Sequence, residues 1–146
     1  MFQGPSALTL DAKGRISIPT RYRDVLAEQA GGSLTLTLHP DGCLLVYPRP
    51  EWEKKRAQIV KFPMEAHALR RLLLGNAQDV DIDGSGRVLV APELREAAGM
   101  TRDVKLLGLG DYFELWDVEA WERHKAKTSQ NMANILSNPN LSQFSF

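Results

Sequence analysis

The sequence predicts an α+β fold, mainly β, in which two copies of one unit join into a pseudo-symmetric body with flanking helices. Three observations predict it. Laying residues 10–24 (LDAKGRISIPTRYRD) over 82–96 (IDGSGRVLVAPELRE) matches Asp11 with Asp83, Gly14 with Gly86, Arg15 with Arg87 and Arg23 with Arg95, and brings Leu10/Ile82, Ile16/Val88 and Ile18/Val90 into step. Further along, Tyr47 pairs with Trp116, Trp52 with Trp121 and Glu53 with Glu122, at a separation three residues shorter. Finally, a unit of about 60 residues buries only about 60% of the surface its unfolded chain exposes, so each copy needs the other to complete a core.

Each copy reads in the same order. A short alternating strand (6–10, or 78–82) meets a turn and a second strand (15–18, or 87–90), a pairing expected to be a hairpin. A short helix follows. In the first copy it begins near Pro19 and Thr20, buries Tyr22, Val25 and Leu26, and stops at Gly31-Gly32. In the second, Pro92 suits the first turn, Leu94, Ala97 and Ala98 form one stripe, and Gly99 ends it. Two more strands then flank a turn: LTLTL and CLLVY around His39 to Gly42, and DVKLL and YFELW around Gly108 to Asp111. Each last strand runs into a helix whose tryptophan, Trp52 or Trp121, packs back on the sheet.

These signals divide the chain into a first repeat (5–62), a connecting helix (63–76) opened by Pro63, a second repeat (77–125) and a polar tail (126–146). The tail carries no charged residue after Lys127 and reads as a mobile segment with a helical start. A composition of 43% apolar and 25% charged residues is that of a globular domain and excludes disorder as the dominant state. The lone Cys43 allows no intrachain disulfide, and no Cys/His spacing suggests a structural zinc or any other cofactor. No basic-then-apolar leader or membrane-length apolar run is visible, so a cytoplasmic location is expected. Eighteen basic residues balance eighteen acidic ones, which excludes coating of nucleic acid by bulk charge. Any anion-binding role must be local.

The most identical part of the repeat is the polar turn, DAKGR (11–15) and DGSGR (83–87). Asp11 and Asp83 suit the first turn position, accepting from backbone N–H groups two residues on, and Gly14 and Gly86 supply a positive φ. No turn type asks for the arginine that follows. With Ile16 and Ile18 facing the core, Arg15 and Ser17 face outward, as do Arg87 and Leu89. An Asp–Arg ion pair closing the turn is one account of the arginines. The other is DNA: Lys13 at the turn tip and Arg21 and Arg23 on the next helix can neutralise phosphates, while Arg15 and Arg87 can read guanine in a major groove that admits a β-ribbon. From Asp11 to Arg23 there are four basic residues and one acid, whereas from Asp79 to Arg95 there are two and four, so the first copy is expected to carry more of the affinity.

Taken together, the opening MFQG, the DAKGRISIP and DGSGRVLV pair, LRRLLLGNAQDVDIDGSGR and GDYFELWDVEAWE resemble the MraZ family of bacterial transcriptional regulators, over about residues 1–125. The resemblance implies two AbrB-like (SpoVT-AbrB) repeats in a swapped-hairpin β-barrel. It also implies a sequence-specific regulator of double-stranded DNA that reads direct repeats upstream of its own operon in the division and cell-wall gene cluster. Such a protein acts usually as a repressor, forms a homo-oligomeric ring and associates with the nucleoid. The family's DNA-contacting motif falls on Asp11, Lys13 and Arg15 in the first copy and on Asp83 and Arg87 in the second.

Rival readings have less material. The best catalytic candidates are His39, Asp41 and Cys43 at one turn, without a base or oxyanion donor spaced to match, and the second copy repeats none of them. His67 and His124 lack ligand-spaced partners, so no enzyme and no metal site is expected. An AbrB-like protein-interaction module and a purely structural ring are the remaining alternatives.

Overall fold

The computed structural model describes all 146 residues. The first copy contains β1 (Phe2–Thr9), β2 (Arg15–Ser17), α1 (Thr20–Ala30), β3 (Ser33–Leu38), β4 (Leu44–Pro48) and α2 (Arg49–Ile59). A 3-10 turn (Met64–Ala66) and α3 (His67–Gly75) lead to β5 (Gln78–Asp81), β6 (Arg87–Leu89), α4 (Pro92–Ala97), β7 (Asp103–Gly110), β8 (Phe113–Asp117) and α5 (Val118–Ser129). The uncharged tail holds α6 (Met132–Leu136) and a 3-10 turn (Pro139–Leu141). No helix is long and apolar enough to cross a membrane.

Local chemistry accounts for the boundaries. Gly31 adopts φ 59° and its N–H bonds back to the Ala27 carbonyl, which closes α1 with a left-handed cap. In α4 the Pro92 ring presets the first turn, and the helix stops after 6 residues against the 11 of α1. The helix is five residues shorter, and a longer link to the next strand, 98–102 against 31–32, makes up part of the difference.

Strand pairing departs from the sequence expectation. β1 and β2 do not form a hairpin. β1 pairs antiparallel with β7 of the second copy, β5 pairs with β3 of the first, and β2 pairs with β6. The fourth strands, β4 and β8, meet at the centre, giving a six-stranded antiparallel sheet in the order β1-β7-β8-β4-β3-β5 and a separate two-stranded ribbon, β2-β6. Both junctions obey one pseudo-twofold axis, which passes through the pairs Leu45/Glu114 and Ile16/Val88. The reason lies in the backbone flanking each turn. Leu10 N–H donates to Arg102 O and Ile18 N–H to Gly86 O, while Ile82 N–H donates to Gly32 O and Val90 N–H to Gly14 O. On both sides of each turn the partner therefore belongs to the other copy.

Nor does the sheet close. β1 and β5 are edge strands and the ribbon has its own ladder, so the architecture is an open antiparallel sheet and not a barrel. Interruption of the chain by the DxxGR turns separates β2 and β6 from the main sheet, which leaves no continuous ladder to join its edges.

One core unites the copies. Ile16, Ile18, Tyr22, Leu26, Leu34 and Val46 from the first pack in the same cluster as Val88, Val90, Leu94, Val104, Phe113 and Leu115 from the second. Phe2 anchors the start of β1 there, its ring edge-on to Tyr22 and close to Phe113. The repeat-equivalent aromatic pairs also pack alike, Tyr47 with Trp52 at 5.8 Å and Trp116 with Trp121 at 5.3 Å. Because the core is shared, Leu94→Ala should destabilise the whole protein by about 2–5 kcal/mol. Urea transitions followed by circular dichroism and by tryptophan fluorescence are expected to remain single and coincident. A second transition for the first copy would contradict the shared core.

Candidate nucleic-acid interface

The ribbon has the alternation of a half-buried strand pair. Ile16 and Val88 face the core, and Arg15, Ser17, Arg87 and Leu89 form the outer face. Its register sets Arg15 opposite Leu89 and Ser17 opposite Arg87. Sequence reasoning placed each arginine on its own hairpin. Instead, exchange of the strands brings both onto one ribbon as diagonal neighbours, a relation that spaces residues about 7–8 Å apart.

Each arginine is shaped by the turn before it. Asp11 Oδ1 accepts from the backbone N–H of Lys13 and of Arg15, both at 2.9 Å, and Asp11 Oδ2 accepts from Arg15 Nε at 2.8 Å. The second turn repeats this: Asp83 Oδ1 accepts from Ser85 and Arg87 N–H at 2.9 Å, and Oδ2 from Arg87 Nε at 3.3 Å. Gly14 and Gly86 hold φ of 81° and 79°, as the turn requires. Turn chemistry and the Asp–Arg pair are therefore both present. The aspartate engages only Nε, so the protein supplies no hydrogen-bond partner to the two terminal guanidinium nitrogens of Arg15 or Arg87. Each guanidinium thus keeps a free N–H fork, on a side chain that is 26% exposed in Arg15 and 35% in Arg87.

The hydrogen bonds also hold the aspartates ionised. Donation from the Arg15 backbone N–H, with further help from the Arg15 side chain and the Lys13 N–H, brings the Asp11 carboxyl down to about 2. The corresponding donation from Arg87 and Ser85 lowers Asp83.

The other residues marked in the sequence lie in different settings. Lys13 is exposed at the first turn tip, and Ser85 holds that place in the second. Arg21 is tied to β1, donating from Nη2 to Ser6 Oγ at 2.7 Å, and lies over the Tyr22 ring. Arg23 donates from Nε to Ile18 O at 2.7 Å and its guanidinium lies against Gly86 of the other copy. Sequence reasoning passed over Arg95, which does the same in reverse: Nε donates to Val90 O at 2.9 Å and the guanidinium lies against Gly14. Its match with Arg23 in the repeat was the available signal. Leu89, which the alternation placed outward without a role, is 46% exposed on the arginine face.

Asp79 and Asp81, which weighed against the second copy in the charge count, accept from Thr35 and Ser33 hydroxyls across the β3–β5 ladder. Elsewhere, Cys43 is fully buried and burial pushes its thiol far up, so it is a core residue unsuited to nucleophilic attack. His39 Nδ1 accepts from Asp41 N–H within the β3–β4 turn. His124 approaches Asp41 from α5, joining the two copies on that side.

With this geometry in place, comparison with known proteins is decisive. Residues 1–75 and 73–138 each match the model of the family described as "MraZ protein, putative antitoxin-like". The chain belongs to the MraZ family. Each match spans one copy with its ribbon strand, the first running on through α3 and the second through α6. Among MraZ relatives, one from Bordetella pertussis (strain Tohama I) is 71% identical over the full length of both chains. Another, from Acidovorax sp. (strain JS42), is 62% identical over 89% of this chain and 92% of its own. A third, from Burkholderia cenocepacia (strain HI2424), is 58% identical over 94% and 98%. All three bear the name transcriptional regulator MraZ.

A group whose folded-state pKa is depressed stabilises the fold fully above its unfolded value and loses that contribution as pH falls through the folded value. The first turn should therefore keep its order from neutral pH down to about 4. The amide resonances of Lys13 and Arg15 should then shift with a midpoint near about 2. A midpoint in the ordinary carboxylate range would show that Asp11 does not hold Arg15 in solution. Asp11→Asn should remove the low-pH step.

Proposed function

We propose that this chain is a transcriptional regulator that binds double-stranded DNA through the β2–β6 ribbon, without catalysis and without a cofactor. The observation that carries this is the pair of adjacent arginines whose inner nitrogens are held by aspartates while their terminal N–H forks are free. A two-stranded ribbon fits the major groove, and a guanidinium fork matches the O6 and N7 acceptors of guanine. Lys13 beside Arg15 supplies a phosphate contact that the second turn lacks, which supports a larger share of affinity for the first copy. Arg21 is bonded to Ser6 and Tyr22 through Nη2, and Arg23 is bonded through Nε with its guanidinium packed beside Gly86, so the contact set centres on Lys13, Arg15 and Arg87.

The names of the relatives support regulation of transcription. Action on direct repeats upstream of its own operon in the division and cell-wall gene cluster, repression there, assembly into a homo-oligomeric ring and a cytoplasmic, nucleoid-associated location are supported by the family resemblance. One ribbon makes few base contacts, and a ring that engages successive repeats raises effective concentration.

Fluorescence anisotropy on a duplex from immediately upstream of its own gene, against a scrambled duplex, tests the reading. Wild-type protein should prefer the upstream duplex, and Arg15→Ala with Arg87→Ala should abolish the preference while leaving the fold intact. Undiminished binding by the double variant would overturn the assignment. Equal binding of both duplexes by the wild type would point instead to a protein-interaction module.

The face also differs from end to end. Leu89 stands opposite Arg15, where an apolar side chain suits a thymine methyl group, while Ser17 stands opposite Arg87. Replacing thymine by uracil throughout the duplex should weaken wild-type binding several-fold and leave a Leu89→Ser variant unaffected. Equal losses in both would remove Leu89 from the reading set.

A further inference from the structure

Of the four identities between residues 10–24 and 82–96, three are accounted for by the turn and the arginine that follows it. The fourth, Arg23 matched with Arg95, is not. We propose that Arg23 and Arg95 are positioning residues, each holding the DNA-reading turn of the opposite copy in place. This rests on the proposal that the ribbon reads DNA.

The geometry is reciprocal. Val90 N–H donates to Gly14 O, and Val90 O accepts from Arg95 Nε, so Arg95 grips the residue to which the first turn is tied. Its guanidinium then occupies the space a side chain on Gly14 would need: a Cβ there would lie 2.6 Å from both Cζ and Nε of Arg95. Ile18 N–H donates to Gly86 O, Ile18 O accepts from Arg23 Nε, and the Arg23 guanidinium fills the equivalent space beside Gly86. Gly14 and Gly86 therefore answer two demands, a positive φ and a flat surface for an arginine from the other copy. Each guanidinium sits one residue before Arg15 or Arg87, so its loss would let the reading arginine move with its turn.

Two consequences separate this role from phosphate contact and from general stabilisation. A lost phosphate contact lowers the slope of log K against log salt by about 0.9, whereas a lost positioning contact lowers K at an unchanged slope. Misplacing a reading arginine lowers affinity for the upstream duplex and spares the scrambled one, whereas partial unfolding lowers both equally.

The test uses full-length protein and the same two duplexes over a salt series, with Arg23→Met, Arg95→Met and, as the phosphate benchmark, Lys13→Ala. Each methionine variant should lose about tenfold on the upstream duplex and keep its salt slope, whereas Lys13→Ala should lose slope. A slope lowered by about 0.9 in Arg23→Met would make it a phosphate contact, and unchanged affinity in both variants would leave them no role; either overturns the proposal. Amide shifts without DNA provide an independent arm. Arg95→Met should perturb Lys13 and Gly14 more than Ser85 and Gly86, and Arg23→Met should do the converse; the crosswise pattern failing to appear overturns the clasp. If the wild type fails to distinguish the duplexes, the DNA reading falls while the amide pattern still decides the clasp. Should a methionine variant not fold, Arg23→Lys and Arg95→Lys keep charge and stem but lose the planar group and should give the same pattern more weakly.

Discussion

Ile16 and Val88 face each other on the pseudo-twofold axis, and their pairing decides which side chains can share a surface. Because side chains alternate along a strand, seating these two in the core turns Arg15, Ser17, Arg87 and Leu89 outward together. A slip of one residue would bury the arginines. The apolar cluster that holds Ile16 and Val88 draws on both copies, so hydrophobic burial fixes the register of the polar face. Neither copy could present this surface alone, since half of its strands and half of its turn contacts belong to the other.

Within that frame, electrostatics works at short range. The chain is neutral overall, and two guanidinium groups on neighbouring strands would repel one another. Asp11 and Asp83 offset that repulsion locally while leaving each arginine's terminal nitrogens unpaired. The acidic residues that set the second copy's charge against it are partly engaged at the far edge of the sheet, where Asp79 and Asp81 bond to β3.

Much of this was legible in the sequence. The repeat, the order of its elements and the aspartate-to-amide chemistry of the turns follow from spacing and residue type, and Tyr22 and Leu26 are buried as their periodicity requires. Partnership was not legible. Alternation states which face of a strand is buried and says nothing about which strand lies beside it, so 6–10 and 15–18 read as a hairpin when each pairs across to the other copy. The open sheet has the same origin, because edges depend on partners. The contact of Arg23 with Gly86 was not legible either, because a basic residue near a turn gives no sign of a glycine 63 positions away in the sequence.

The departures from perfect symmetry bear on what such a body can recognise. A twofold-symmetric reader mirrors palindromic sites, since the same contacts are made in both directions along the duplex. Here the axis relates Arg15 to Arg87, but it also relates Lys13 to Ser85 and Ser17 to Leu89, so the two ends of the ribbon present different chemistry. Reversing the protein on a given site would exchange an apolar contact for a hydroxyl and move the only turn-tip lysine to the other side. Under the proposed DNA reading one orientation would be favoured on each site, and copies related by rotation in the proposed ring would read a run of sites in the same direction. The direction of the proposed recognition thus follows from the sequence drift between the two copies, which the reciprocal arginine contacts tolerate because they join the shared Arg23, Arg95, Gly14 and Gly86 to backbone carbonyls of Ile18 and Val90.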